Sequence, residues 1–198
     1  MTRTAFVTGG TGFIGINLIE LLVSKGWDVT ALHRSTSKLT YLKRFPVTLA
    51  EGSITDRVSL ERTIPDGTDA VFHVAGDTSF WSKKNAQQDA INVDGTRTMV
   101  EISAAKGIGT FIHTSSNSVW WRAKGVITEE TPADGKSSWI NYERSTHLGE
   151  IEAFKGVDIG MKVVVLNPGD VAGPYDANNW GNLFFLLRDG ALPAIGSG

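Results

Sequence analysis

The sequence predicts an α/β fold, a doubly wound parallel sheet with helices on both faces. Three observations point there. Short apolar runs alternate with longer amphipathic ones along the chain. The apolar runs, such as Ala70-Val71-Phe72 and Val163-Val164-Val165-Leu166, lack polar alternation and suit strands buried on both faces. The longer runs end in Lys-Gly pairs at Lys25-Gly26, Lys106-Gly107 and Lys155-Gly156, which read as a basic last turn and a C′ glycine.

The first strand is expected over 4–8 and runs straight into a glycine cluster. A helix over 13–24 follows, with Ile14, Leu18, Leu21 and Leu22 at i, i+4, i+7 and i+8. Further strands are expected over 28–33, 47–50, 69–75, 109–115 and 161–167. Residues 86–106 carry Ile91, Met99 and Ile102 and read as one helix ending at Lys106-Gly107. Residues 141–155 carry Leu148, Ile151 and Phe154 and are expected to stop at Lys155-Gly156. A last helix is expected over 183–188, and Leu192-Pro193-Ala194-Ile195 leaves it. The sequence then reaches Gly196-Ser197-Gly198 in what should be a turn. A sixth strand with no domain after it suggests a fold cut short.

Composition narrows the function. The 198 residues are 41% hydrophobic and 20% charged, enough to bury a core. Nineteen Lys+Arg against 21 Asp+Glu give a net charge of −2, so no basic excess argues for nucleic acid or a membrane surface. The absence of cysteine removes disulfides, thiolate zinc sites and cysteine nucleophiles. The four histidines, His33, His73, His113 and His147, form no HxxxH or HExxH pair, so no metal site is expected. No apolar stretch approaches the ~18 residues of a membrane span. The N-terminus shows no targeting signal, and the cytoplasm is the default compartment.

Thr8-Gly9-Gly10-Thr11-Gly12-Phe13-Ile14-Gly15 follows the first strand and opens the first helix. Glycines in this context let the chain turn sharply, let backbone approach a pyrophosphate and let the helix pack close to the sheet. The helix N-terminus offers free N–H groups and a positive dipole end to phosphate. The bland alternative is a tight structural turn. The second strand ends in Ala31-Leu32-His33-Arg34, followed by Ser35, Thr36, Ser37 and Lys38. An NAD-selective site tends to place an acid here for the ribose 2′-hydroxyl. Arg34 and Lys38 instead suit the 2′-phosphate of NADP, with NAD less favoured. A solvated loop is the alternative.

The glycine spacing at Gly9, Gly12 and Gly15 resembles that of the extended short-chain dehydrogenase/reductases. Four further segments match in order: His73-Val74-Ala75-Gly76, Asn92-Val93-Asp94-Gly95-Thr96, Thr114-Ser115-Ser116 followed by Tyr142, and Asn167-Pro168-Gly169-Asp170-Val171-Ala172-Gly173-Pro174. The resemblance spans the chain and looks strongest toward the dihydroflavonol reductase and ketone reductase branch. It implies a Rossmann domain over 1–175, and over 176–198 the incomplete start of a substrate-binding region. It also implies cofactor contacts along Gly9, Thr11, Gly12, Phe13, Ile14 and Gly15, and at Val74, Ala75 and Gly76. Thr114, Ser115, Tyr142, Pro168, Gly169 and Val171 complete that set. The family often has Gly-Asp-aliphatic after the third strand, its Asp contacting adenine. This chain has Gly52-Ser53-Ile54, where Ser53 can hydrogen-bond the base and Ile54 can pack on it.

The resemblance further implies a Ser–Tyr–Lys set, with Ser116 orienting the substrate oxygen and Tyr142 moving its proton. The lysine is absent: the Y-x-x-x-K position holds Thr146. On a helix, i+4 lies about 40° from Tyr142, whereas Arg144 and His147 lie about 160° and about 140° away. Neither cation substitutes easily. Trp121 stands where many relatives have glycine and would line or crowd the substrate pocket; the alternative puts Trp120 and Trp121 in core and surface loop. Trp139 and Phe80-Trp81 can join the same wall, while Asp77 and Thr78 can simply cap a turn.

Together these readings predict an NADP-dependent oxidoreductase moving hydride between nicotinamide and a small ketone or secondary alcohol. The rivals are a nucleotide-sugar epimerase or dehydratase and a cofactor-binding protein without turnover. The family's dimer bundle matches helices 86–106 and 141–155, so a homodimer is expected.

Overall fold

The computed structural model describes residues 2–176 and 180–191. Six strands form one parallel sheet: β1 (Thr4–Thr8), β2 (Asp28–His33), β3 (Thr48–Glu51), β4 (Ala70–His73), β5 (Thr110–Thr114) and β6 (Lys162–Leu166). Their order is β3-β2-β1-β4-β5-β6. The register pairs Phe6 with Thr30 on one side and with Val71 on the other. Successive strand residues face opposite ways, so β1 serves two cores. Ala5 and Val7 pack with Ile19 and Leu22 of α1 (Phe13–Ser24). Phe6 packs with Val71, Met99 and Phe111 on the other face. That face is covered by α2 (Arg57–Thr63), α4 (Gly95–Ala105) and α5 (Asn141–Asp158). Burying each such side chain is worth about 1.5–3 kcal/mol.

Several boundaries differ from expectation, each for a local reason. The region 86–106 is not one regular helix. It comprises α3 (Asn85–Asp89), a π-helical turn (Ala90–Asp94) and α4. The turn lies against Gly149 of α5, where an added Cβ would stand 2.3 Å from the Asn92 carbonyl oxygen. α5 does not stop at Lys155-Gly156. Gly156 stays helical because a Cβ there would lie 2.9 Å from Val163 of β6, and the chain turns at Gly160, φ +85°. β4 is shorter than 69–75. The amides of Val74 and Ala75 leave the strand ladder and donate to Thr8 Oγ1 at 3.2 and 3.1 Å. The unforeseen α2 is capped by Asp56, whose carboxylate accepts from the Ser59 amide.

α6 (Trp180–Arg188) begins before the expected 183–188. Leu192-Pro193-Ala194-Ile195 and Gly196-Ser197-Gly198 lie outside the described residues. The segment after β6 folds back onto α1. Asn17 Nδ2 donates to the carbonyls of Phe13 and Pro174, and Tyr175 Oη donates to Glu20. No described helix is long and apolar enough to cross a membrane.

Candidate cofactor cleft and active site

β1 sits between β2 and β4, so chain connections leave its C-terminal end toward both halves of the sheet and open a crevice there. The glycine cluster occupies that point. Gly9 has φ +71°, and a Cβ there would stand 2.7 Å from the Ala75 amide nitrogen. A Cβ at Gly15 would stand 2.2 Å from the Gly9 carbonyl oxygen. These two glycines close the turn. Gly12 differs: its φ of −90° and ψ of 168° are open to any residue, so no special backbone angle requires glycine there. A Cβ on it would meet only the Gly9 oxygen, at 3.3 Å. Gly12 is also the N-cap of α1 and supplies no side-chain hydrogen bond, leaving the first helical amides for an anion. This cradle fits a pyrophosphate.

Two clefts of about 450 and about 620 Å³ share the wall Val74–Ala75–Gly76. Both lie in the size range of small-ligand sites. The first brings together Phe13, Ile14, Thr114, Ser115, Ser116, Tyr142, Thr146, Pro168, Gly169 and Val171. The second brings together Gly9, Thr11, Gly12, Arg34, Ser53 and Ile54. Gly15 and Lys38 line neither; Gly15 lies against Gly9, and Lys38 is exposed. Arg34 follows β2 in a tight turn, where Ser37 N donates to the Arg34 carbonyl at 2.9 Å. No carboxylate lines the second cleft among the described residues.

The shared wall is held by one chain of hydrogen bonds. Thr8 Oγ1 accepts from the Val74 and Ala75 amides, so its own proton goes to His73 Nδ1 at 2.8 Å. That leaves the His73 proton on Nε2, which donates to Thr96 Oγ1 at 3.0 Å. Thr96 in turn donates to the Asn92 carbonyl at 2.8 Å. Burial and the neighbouring His113 push His73 well below its ordinary 6.5, and burial pushes His113 down to about 4. The two rings stack at 5.4 Å. His113 lines the first cleft, and its Nδ1 has no partner among the described residues.

Tyr142 lies in the first turn of α5, with the Phe80 ring 5.2 Å away. Ser116 Oγ accepts from Ser118 N at 3.2 Å, which fixes the end of β5. Arg144 is committed to the Ser138 carbonyl and to Asn141, and His147 Nδ1 accepts from the Lys136 amide at 2.8 Å. Neither stands in the lysine's place. The first cleft's described lining contains Asp77 and no Lys or Arg. Asp77 caps its turn by accepting from Ser79 N, and Thr78 lines the cleft beside it.

The expected tryptophan wall is not there. Neither Trp120 nor Trp121 lines the described clefts. Trp120 Nε1 donates to the Thr131 carbonyl, and the Arg122 guanidinium lies 4.2 Å over the Trp121 ring. Phe80 is the aromatic neighbour of Tyr142, while Trp139 is 80% exposed.

Two buried polar groups went unforeseen as site residues. Asn92 accepts from Asp77 N and donates to Asp77 O and Ser145 Oγ, tying the Asp77 loop to α5. Glu150 accepts from Ser115 Oγ and Asn167 Nδ2, both at 2.8 Å, and clamps the ends of β5 and β6. The available signal was spacing: Glu150 stands one turn beyond Thr146 on the same helix face.

The fold and its glycine turn define a dinucleotide-binding α/β protein. Residues 5–186 match the NAD dependent epimerase/dehydratase family, and the chain belongs to that family. It is 32% identical over 178 residues to the putative dihydroflavonol 4-reductase of Synechocystis sp., covering 89% of this chain and 51% of that protein. It is 31% identical over 196 residues to the 2-alkyl-3-oxoalkanoate reductase of Stenotrophomonas maltophilia, covering 97% and 58%. This chain thus spans little more than half the length of those curated relatives. Its fold matches the Bordetella bronchiseptica enzyme WbmH, solved in complex with NAD+, at a TM-score of 0.82. That match has 24% identity and covers 96% of this chain and 64% of that one.

Proposed function

We propose that this chain is the cofactor-binding part of an NADP-dependent oxidoreductase acting on a ketone or secondary alcohol. The observation that carries the reading is the meeting of Ser116, Tyr142 and the Val74–Gly76 wall in one cleft adjoining the Arg34 cleft. The two curated relatives described above are both named reductases, which supports the reading. Residues 1–175 form the dinucleotide-binding unit and 176–198 begin the substrate-binding region. Helices α4 and α5 offer the homodimer interface.

The nicotinamide cofactor supplies or accepts the hydride. Gly12 and the start of α1 would hold its pyrophosphate, and Arg34 its 2′-phosphate. In the first cleft, Ser116 Oγ–H donates to the substrate oxygen. Tyr142 Oη–H gives that oxygen its proton in reduction and takes it back in oxidation. Phe80 lies against Tyr142 with its ring 5.2 Å away. His113 is neutral at pH 7 and brings no cation to the proton transfer. The cation-free lining beside Thr146 favours a second reading, cofactor binding without turnover.

The test titrates NADPH and NADH against tryptophan fluorescence, then repeats both with Arg34→Ala. A charge-assisted hydrogen bond to phosphate is worth roughly 1.5–3 kcal/mol, so the variant should bind NADPH one to two decades more weakly. Equal affinity for both cofactors in the unaltered protein would sink the NADP assignment. NADPH consumption across a ketone panel, with Tyr142→Phe as the blank, separates turnover from binding alone.

A further inference from the structure

Ser53 stands where an adenine-contacting acid was expected, and its polar groups bond within their own loop. Its amide donates to Ser59 Oγ at 3.0 Å. Its hydroxyl accepts from Thr55 N at 3.3 Å and pairs with Thr55 Oγ1 at 2.9 Å. Its carbonyl accepts from Asp56 N at 2.9 Å. The second cleft nevertheless has the surfaces a purine needs. Leu32, Ile54, Ala90 and Ile91 supply apolar wall for a ring face. The polar edge of the base needs a side chain with free hydrogen-bonding groups.

Gln87, on α3, lines the same cleft and is exposed, and its side-chain amide has no hydrogen-bond partner among the described residues. Its neighbour Gln88 is the opposite case. Gln88 is buried and committed to the carbonyls of Asp77 and Ser79 and to Asn141. Resting on the dinucleotide reading above, we propose that Gln87 pairs with the edge of the cofactor's adenine. At the edge formed by the 6-position and N7, a carboxylate would only accept, and so would demand the amino group of adenine. A primary amide presents either its oxygen or its nitrogen by rotating about the last side-chain bond. Gln87 therefore tolerates a base carrying a carbonyl in place of that amino group.

The experiment measures affinities of the purified protein for NADPH and for its hypoxanthine counterpart, in which the adenine amino group is replaced by a carbonyl. Tryptophan fluorescence gives binding without turnover. Gln87→Ala should weaken NADPH by about two- to tenfold, the span of one neutral hydrogen bond. Gln87→Glu accepts but cannot donate, so it should raise the adenine-over-hypoxanthine affinity ratio about tenfold above that of the unaltered protein. The ratio cancels any general repulsion between the new carboxylate and the phosphates. Gln87→Ala binding NADPH as tightly as the unaltered protein, or an unchanged ratio in Gln87→Glu, overturns the inference and leaves the cofactor reading standing. Failure of the unaltered protein to bind either NADPH or NADH overturns both.

Discussion

Acid should unfold this protein through its stacked histidines, and His113→Gln isolates the effect. Both rings are buried and held neutral, with His113 down at about 4 and His73 well below 6.5. Unfolding returns each to its ordinary value, so below pH 6.5 the unfolded chain binds protons that the folded chain refuses. Stability is then complete above about pH 6.5 and falls as pH drops toward the folded values. At about 1.36 kcal/mol per pH unit, His113 alone removes about 2.5 kcal/mol between about pH 7.5 and about pH 4.5. His73 adds a loss of the same sign. A domain with a total stability of about 5–15 kcal/mol feels that strongly. The assay is urea unfolding at the two pH values for the unaltered protein and for His113→Gln. The variant is expected to be less stable at neutral pH, because a packed ring is lost. Its pH-dependent loss should nevertheless be smaller by about 2.5 kcal/mol. An identical pH-dependent loss in both proteins would refute the reasoning, since His113 would then not be the group that refuses the proton.

Three further outcomes are expected. Gly149→Ala places a Cβ 2.3 Å from the Asn92 carbonyl and should cost about 1–3 kcal/mol by overpacking, read as a lowered urea midpoint. Gly12→Val should keep the circular dichroism of the fold, because its backbone angles suit any residue and its Cβ meets only the Gly9 oxygen, while abolishing NADPH binding in the fluorescence titration. Thr146→Lys should move the basic limb of the pH–rate profile for alcohol oxidation about one to two units lower, because a cation about 4 Å from a phenol favours its ionised form. Coincident profiles for that variant and the unaltered protein, with Tyr142→Phe inactive, would mean the charge is unnecessary.

The alternation of apolar runs placed every strand because a parallel sheet covered by helices on both faces draws its strands from mostly apolar runs. Gly26 and Gly107, each with positive φ, were legible as helix ends. Gly156 was misread because a glycine used for close packing looks identical in sequence to one used for a turn. Only the neighbouring Val163 tells them apart. The π-helical turn around Asn92 was invisible for a related reason: it sits in tertiary contact with Gly149, far along the chain, and leaves no local pattern. The cleft residues named from motifs were legible as a set because those motifs fall at strand ends, which the topology gathers. Glu150, behind the first cleft, was not, because it is buried by contacts from β5 and β6, and Gln87 was not, because a polar helix residue gives no sign of facing a cleft. The two alternatives for Trp121 stayed open in the sequence because side-chain direction in an irregular loop has no period to read.

The strand order also sets a timetable for synthesis. All of the second cleft's described lining comes from residues 9–91, so its glycine turn and Arg34 emerge from the ribosome early. The first cleft draws on Phe13 and Ile14 but also on Pro168, Gly169 and Val171. The Asn17–Pro174 bond closes a loop of 157 residues. Closing so distant a contact is slow and comes late, because the entropy of the intervening chain must be lost first. A nascent chain therefore carries the residues of the second cleft well before it has the last walls of the first.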